Sequence, residues 1–212
     1  MIERYAETRL PTLFGDFRCL VYRDRNGKEH MAMVKGDIQG KTDVLCRIHS
    51  ECLTGEVFAS TKCDCKSQLN LALEKIAAQD AGLVIYMRDE GRGIGLGNKI
   101  RAYGLQEQGA DTVDANHMLG LPDDTRDYTF AAEILKDLHV LSVCLMTNNP
   151  LKVNGLRNGG IDVSKRVEHH TEAPTHAAYY LQTKRDRMGH LLPEGNLAAD
   201  NVRVLGGSKK PA

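Results

Sequence analysis

From residue 8 to 49, apolar and polar positions alternate around turn signals such as Asn26-Gly27, with Phe17, Leu20, Val21, Met31, Met33, Val34, Val44, Leu45 and Ile48 available for a buried sheet face. A period of two puts successive side chains on opposite faces of a pleated strand, so this stretch predicts antiparallel strands. From Gln68 to Ala78 the period changes. Leu69, Ala72, Leu73, Ile76 and Ala77 recur at helical spacing, which gathers them on one face. Gly82 then precedes the unbroken apolar run Leu83 to Met87, the pattern of a strand buried on both sides. Further helices are expected over 98–108, 128–138, 150–157 and 176–188, and further strands over 140–146 and 161–167. The fold class is therefore mixed α/β, with N-terminal antiparallel strands followed by alternating helices and strands. Residues 1–192 read as a single domain; from Pro193 apolar periodicity stops and Gly, Asn, Asp, Ser, Lys and Pro dominate, so 193–212 are expected to form a flexible tail.

Composition narrows the partners. Of 212 residues 42% are hydrophobic, which suffices for a core, and 28 basic residues are balanced by 28 acidic ones. No global positive field is left to hold a polynucleotide. No run approaches the roughly 18 apolar residues of a membrane span, and the N-terminus lacks a signal-like apolar stretch. The expectation is a cytoplasmic protein with neither a nucleic-acid nor a membrane partner. In a reducing compartment clustered cysteines serve as metal ligands or catalytic thiols rather than disulfides. Cys19, Cys46 and Cys144, in apolar strand-like contexts, read instead as small packing residues.

Cys52, Cys63 and Cys65 form a C-x10-C-x-C pattern within 14 residues. Three thiolates satisfy most of one zinc ion: a fourth protein ligand closes a structural site, whereas three ligands leave a position for water and suit hydrolysis. Two plainer readings stand beside this one. The cysteines pack as small side chains, or His49 supplies a fourth ligand and makes the zinc structural.

After Met87 the segment Arg88 to Arg101 carries glycine at 91, 93, 95 and 97. Without Cβ, such a loop lets backbone N–H groups approach an anion, and a following helix adds its positive N-terminal end; the alternative is a merely flexible turn. The adjoining Arg88, Arg92, Lys99 and Arg101 favour phosphate. Further on, Asp124 or Asp127 either caps a helix or serves a site. Thr147 and Lys152, where an apolar strand gives way to a helix, are assigned to a substrate. Tyr103 on the helix after the glycine loop reads as core or catalyst, and His117 as a structural histidine.

Taken together, RIHSECLTG, KCDC, DEGRGIGLGNKIRAYGLQEQGADTVDANHMLG, DTRDYT, TNNPLKV and TKRDRMGHLL resemble GTP cyclohydrolase II of riboflavin biosynthesis, over about residues 6 to 192. The resemblance implies a catalytic domain that opens the imidazole ring of GTP, releasing formate and pyrophosphate and leaving a diaminopyrimidine ribosyl phosphate. It also implies zinc, magnesium with the triphosphate, and a homodimer. By motif position it makes Cys52, Cys63 and Cys65 the zinc ligands. Arg47, Ile48, His49, Ser50, Glu51, Gln68, Glu90, Gly91, Arg92, Thr112, Thr147 and Lys152 become the substrate contacts. Asp124 matches a proton acceptor, Arg126 a nucleophile toward the α-phosphorus, and Tyr103 a tyrosine needed for complete ring opening. Asp89 and Gly97 depart from the family pattern, which has Gln and a larger aliphatic residue there. The family's frequent fusion partner, a dihydroxybutanone phosphate synthase, is expected to be absent at this length.

Two rivals remain on the residues alone. His49-Ser50-Glu51 supplies the H-x-E of zinc nucleobase deaminases, yet C-x-C stands where those enzymes carry C-x-x-C. A zinc-stabilised binding module predicts a saturated four-ligand metal and no turnover.

Overall fold

The computed structural model describes residues 2–171, 185, 187 and 189–191. The expected helix over 176–188 lies outside them apart from Arg185 and Arg187, both helical, and the expected tail over 193–212 lies outside them entirely.

The chain opens with three strands, β1 (Glu3–Thr12), β2 (Gly15–Arg23) and β3 (Glu29–Lys35), that form an antiparallel meander. After β4 (Val44–Ser50) come a single turn, α1 (Leu53–Glu56), the helix α2 (Cys65–Ala77) and β5 (Gly82–Met87). A short 3-10 turn at Glu90–Gly93 leads into α3 (Gly95–Glu107), α4 (Thr112–Met118) and α5 (Thr129–Asp137). The sequence then runs through β6 (Ser142–Met146), α6 (Pro150–Asn158) and β7 (Asp162–Val167). The mixed α/β class is as expected, and no helix of the described residues is long and apolar enough to cross a membrane.

One expectation needs correcting. β4 does not continue the antiparallel meander: the sheet order is β1-β2-β3-β5-β4-β6-β7, so β5 sits between β3 and β4. β4 pairs in parallel with β5 and with β6. The physical cause is the connection: α2 carries the chain across one face of the sheet, and a crossover helix returns a strand parallel to the one it left. The meander also starts earlier than residue 8, because the residues of β1 are nearly all exposed and carry no burial pattern to read. α4 has no counterpart among the expected helices. Its start is written in Asp111, whose carboxylate accepts from Val113 N at 2.7 Å and Asp114 N at 2.8 Å as an N-cap.

The sheet is covered on both faces. On one, Ala72 and Ile76 of α2 pack with Phe17, Cys19, Met33, Val84 and Met146. On the other, Ala131, Ile134 and Leu135 of α5 and Leu156 of α6 pack with Leu20, Tyr22, Ile48, Ile85 and Leu145. Cys19 and Cys46 are buried packing residues, as expected, and Cys144 is half-buried. Parallel order changes direction at β4, with β5 on one side and β6 on the other. The loops leaving the carboxyl ends of these three strands therefore open onto one crevice, where α/β sheets hold their ligands.

Candidate active site

Each of the three strands delivers one part of the crevice. β4 ends at Ser50 and hands over to Glu51 and Cys52; β5 ends at Met87 and hands over to the glycine loop; β6 ends at Met146 and hands over to Thr147, Asn148 and Asn149. The cavity spans about 1120 Å³ when its open mouth is included. All but two of the anticipated residues line it: Arg47, His49, Ser50, Glu51, Cys52, Cys63, Cys65, Gln68, Glu90, Gly91, Arg92, Tyr103, Thr112, Arg126, Thr147 and Lys152. Ile48 and Asp124 do not. Ile48 is a fully buried core residue whose carbonyl accepts from Lys152 Nζ at 2.8 Å, and Asp124 acts on the site by holding Arg126.

The cysteines converge. The sulfurs of Cys52, Cys63 and Cys65 lie within 4.8 Å of one another, and Cys52 and Cys63 are 3.5 Å apart. Tetrahedral zinc with Zn–S of about 2.3 Å places its sulfurs about 3.8 Å apart, so the three side chains fit that ion. Close approach depends on Gly55: a Cβ there would lie 2.7 Å from Cys63 Sγ and 3.2 Å from Cys52 Sγ. Hydrogen bonds with Cys63 and Cys65, aided by the Lys99 ammonium, hold the Cys52 thiol far below its usual range despite burial. His49 does not complete a four-ligand set. Its Nε2 is bound to Glu56 Oε1 at 2.8 Å, and Glu56 is bonded in turn by the Tyr86 hydroxyl. Burial holds His49 well below the normal histidine range, and burial pushes Glu56 up to about 7.

Several cationic side chains share the cavity lining with the sulfurs. Arg47 is buried, donating to Met146 O at 2.9 Å and to Gln68 Oε1 at 2.6 Å, and burial lowers it to about 10. Gln68 passes the chain on to Asp64, between two of the cysteines. Lys152, likewise buried, stands at the start of α6, whose N-cap Asn149 accepts from Leu151 N at 2.9 Å. Arg126 reaches Ser50 Oγ at 3.2 Å. Acidic side chains share the same lining, among them Glu51, Asp89 and Glu90.

The glycine loop is sharply bent. Gly91 and Arg92 both have φ of 61°, in the left-handed region, which for an arginine is a strained conformation of the kind found at functional sites. Gly93, also left-handed, sits where a Cβ would strike Thr125 Oγ1 at 2.1 Å. Glu90 gives both carboxylate oxygens to the protein, Oε1 to Gly91 N and Lys99 Nζ, Oε2 to Leu53 N.

The remaining residues fall into place. Asp124 caps no helix, whereas Asp127 accepts from Thr129 N at 2.8 Å at the start of α5. His117 is exposed and paired with Asp123 at 3.0 Å, away from the cavity. Asp89 lines the cavity and is bonded by Lys28 Nζ at 2.9 Å, while Gly97 faces open space on α3. Residues not anticipated as site members also line it, among them Lys99, Gln106, Asn116, Asn148 and His190. Lys99 carried a signal, its place beside the glycine loop. Gln106 comes from α3, Asn148 from the loop after β6, Asn116 from α4 and His190 from the last described segment, where Leu191 N donates to Asn148 O at 2.9 Å.

Residues 3–168 match the family model of GTP cyclohydrolase II, well over half of the chain. The chain belongs to the GTP cyclohydrolase II family. It is 50% identical over 191 residues to GTP cyclohydrolase-2 of Picrophilus torridus, covering 90% of this chain and 100% of that one. It is 52% identical over 194 residues to the riboflavin biosynthesis protein RibBA of Bacillus subtilis, and 53% identical over 193 residues to that of Salinispora tropica. Those matches cover 91% and 90% of this chain but 49% and 48% of the relatives, so the chain spans about half the length of RibBA. The cysteine cluster, the glycine loop and the Thr147 and Lys152 corner all fall inside the matched GTP cyclohydrolase II region.

Proposed function

We propose that the protein hydrolyses GTP in the manner of a GTP cyclohydrolase II, opening the imidazole ring at C8 and releasing formate and pyrophosphate to leave the diaminopyrimidine ribosyl phosphate that begins riboflavin biosynthesis. The observation that carries this reading is the meeting of three clustered thiols and several cationic side chains in one cavity. Cys52, Cys63 and Cys65 would hold zinc, which when bound supplies Lewis-acid activation of the hydrolytic water. Magnesium enters with the triphosphate as part of the substrate.

The chain's own residues then divide the work. Arg92, Arg126 and Lys152 offset the phosphate charge that develops as pyrophosphate departs, the main electrostatic task in phosphoryl transfer. The bent glycine loop offers N–H groups to the same anion, while Arg47, Gln68, Thr147 and the run His49 to Glu51 form the floor that orients the nucleotide. Thr112, at the first turn of α4, closes the far side. Tyr103 stands on α3 at the cavity wall, with Lys62 Nζ 5.0 Å and Lys99 Nζ 5.8 Å from its ring centre. Its hydroxyl gives a proton to the ring nitrogen that leaves, so that no amide anion has to be expelled. Asp124 keeps Arg126 aimed. Membership of this family also carries a homodimer in the cytoplasm as part of the reading.

The test is incubation of the zinc-loaded protein with Mg·GTP, following formate, pyrophosphate and the pyrimidine by mass spectrometry. Equal formate and pyrophosphate support the reaction as written. A formylated product without free formate assigns the chain to a paralogue that stops part-way, and no turnover by a folded, zinc-loaded chain removes the proposal.

A further inference from the structure

Lys99 Nζ lies 3.1 Å from Cys52 Sγ and 2.7 Å from Glu90 Oε1. Lys99 and Glu90 are both largely buried, with side-chain exposures of 11% and 9%. Glu90 is fully engaged by protein groups: Oε1 also accepts from Gly91 N at 2.9 Å, and Oε2 accepts from Leu53 N at 2.7 Å. Leu53 directly follows Cys52 and opens α1, while Gly91 begins the left-handed stretch of the glycine loop. One carboxylate thus joins the cysteine turn, the loop and α3, and it holds an ammonium group against a sulfur.

The charge balance gives this contact a purpose. Three thiolates around a divalent ion carry one net negative charge, which is costly in a buried setting unless it is offset. Lys99 sets a positive charge directly against Cys52, while Glu90 carries the opposite charge beside it, so the contact offsets charge locally at the sulfur and the groups together do not sum to zero. A donor to a coordinating sulfur also withdraws electron density from it, and such outer partners commonly decide metal affinity. We propose that Lys99, fixed by Glu90, is a positioning residue of the metal site that donates to the Cys52 thiolate and offsets its charge at the sulfur. Glu90 then serves the metal centre in addition to lining the cavity proposed for the nucleotide. This rests on the reading of Cys52, Cys63 and Cys65 as metal ligands.

The full chain and its variants Lys99→Met, Lys99→Arg and Glu90→Gln are stripped with a chelator and then titrated. Zinc is titrated in competition with a chromophoric chelator, and cobalt(II) is followed by its thiolate-to-metal charge-transfer band. Lys99→Met keeps the length and apolar stem of the side chain, and far-ultraviolet circular dichroism checks that it folds. The expected result is a zinc affinity lower by about 10- to 100-fold in Lys99→Met, with the cobalt band moved to lower energy because the sulfur has lost its donor. Lys99→Arg, which keeps a cation and N–H donors, recovers most of the affinity, and Glu90→Gln loses part of it. Unchanged affinity and an unchanged band in Lys99→Met overturn the proposal while leaving the cysteines as ligands. A wild-type chain with no thiolate-to-cobalt band overturns the metal reading itself.

Discussion

Asp124 grips Arg126 with both carboxylate oxygens, accepting from Nε at 2.9 Å and from Nη2 at 2.6 Å. Burial works to raise the Asp124 carboxyl, but its bonds to Arg126 outweigh that and hold it below the ordinary carboxylate range. Asp124 is therefore ionised at neutral pH, and both of its oxygens are occupied by the Arg126 guanidinium. This pairing favours an arginine that stabilises charge over one that attacks phosphorus. Arg126→Lys should lower kcat by about 10²- to 10³-fold, since a lysine cannot reproduce the two-pronged contact. Peptide mass spectrometry of quenched wild-type reactions should find no guanylylated Arg126. Detection of that adduct at turnover-competent levels would restore the nucleophilic role.

Tyr103→Phe keeps the ring that lies near Lys62 and Lys99 and removes only the hydroxyl. The variant should bind GTP with little change in KM yet accumulate a formylated pyrimidine, read by product mass spectrometry. Undiminished formate release by Tyr103→Phe rules out proton donation by this side chain.

Gly55 is buried inside α1 and its φ is not in the left-handed region, so alanine suits the backbone there but not the surroundings. Its Cβ would press on Cys63 Sγ at 2.7 Å. Gly55→Ala should leave the circular dichroism spectrum intact and weaken zinc retention by about tenfold or more, measured as metal content after dialysis against a chelator. Full zinc content in Gly55→Ala would mean that the sulfurs do not need this close packing.

His169 has no exposed surface and its Nε2 bonds Gln68 O at 2.8 Å. Burial, with the Arg47 charge second, lowers it from 6.5 to about 3. Between those values the unfolded chain binds a proton that the folded chain refuses, so stability is lost as pH falls from about 6.5 toward about 3 and is unaffected by this group above that window. His169→Gln, which keeps a donor for the Gln68 carbonyl but cannot titrate, should show a shallower loss in urea-unfolding midpoint on acidification. Parallel pH curves for wild type and variant would remove His169 as the cause.

Much of the architecture could be read directly from local patterns. The strand around Leu20 and the helices around Ala72 and Ile134 announce themselves because a period of two or near four states which side of an element is buried, and the strand around Val84 because an unbroken apolar run marks burial on both sides. The spacing of Cys52, Cys63 and Cys65 and the glycines at 91, 93 and 95 are equally local signals, since ligand chemistry and positive φ act on the residues that carry them. α4 escapes because Thr112–Met118 is short, with half of its character in an Asx cap rather than an apolar stripe.

Sequence by itself thus determined most of the elements, the cysteine spacing and the glycine loop's positions. Only the tertiary structure decided that β5 lies between β3 and β4, and this order brings the ends of β4, β5 and β6 to one crevice. It also decided that Ile48 stays out of the cavity lining, that Asp124 holds Arg126, and that Lys99, held by Glu90, reaches Cys52. The reason is physical: periodicity encodes which side of an element is buried, but strand order and the partner of a buried charge depend on residues far apart in the chain, such as Cys52 and Lys99.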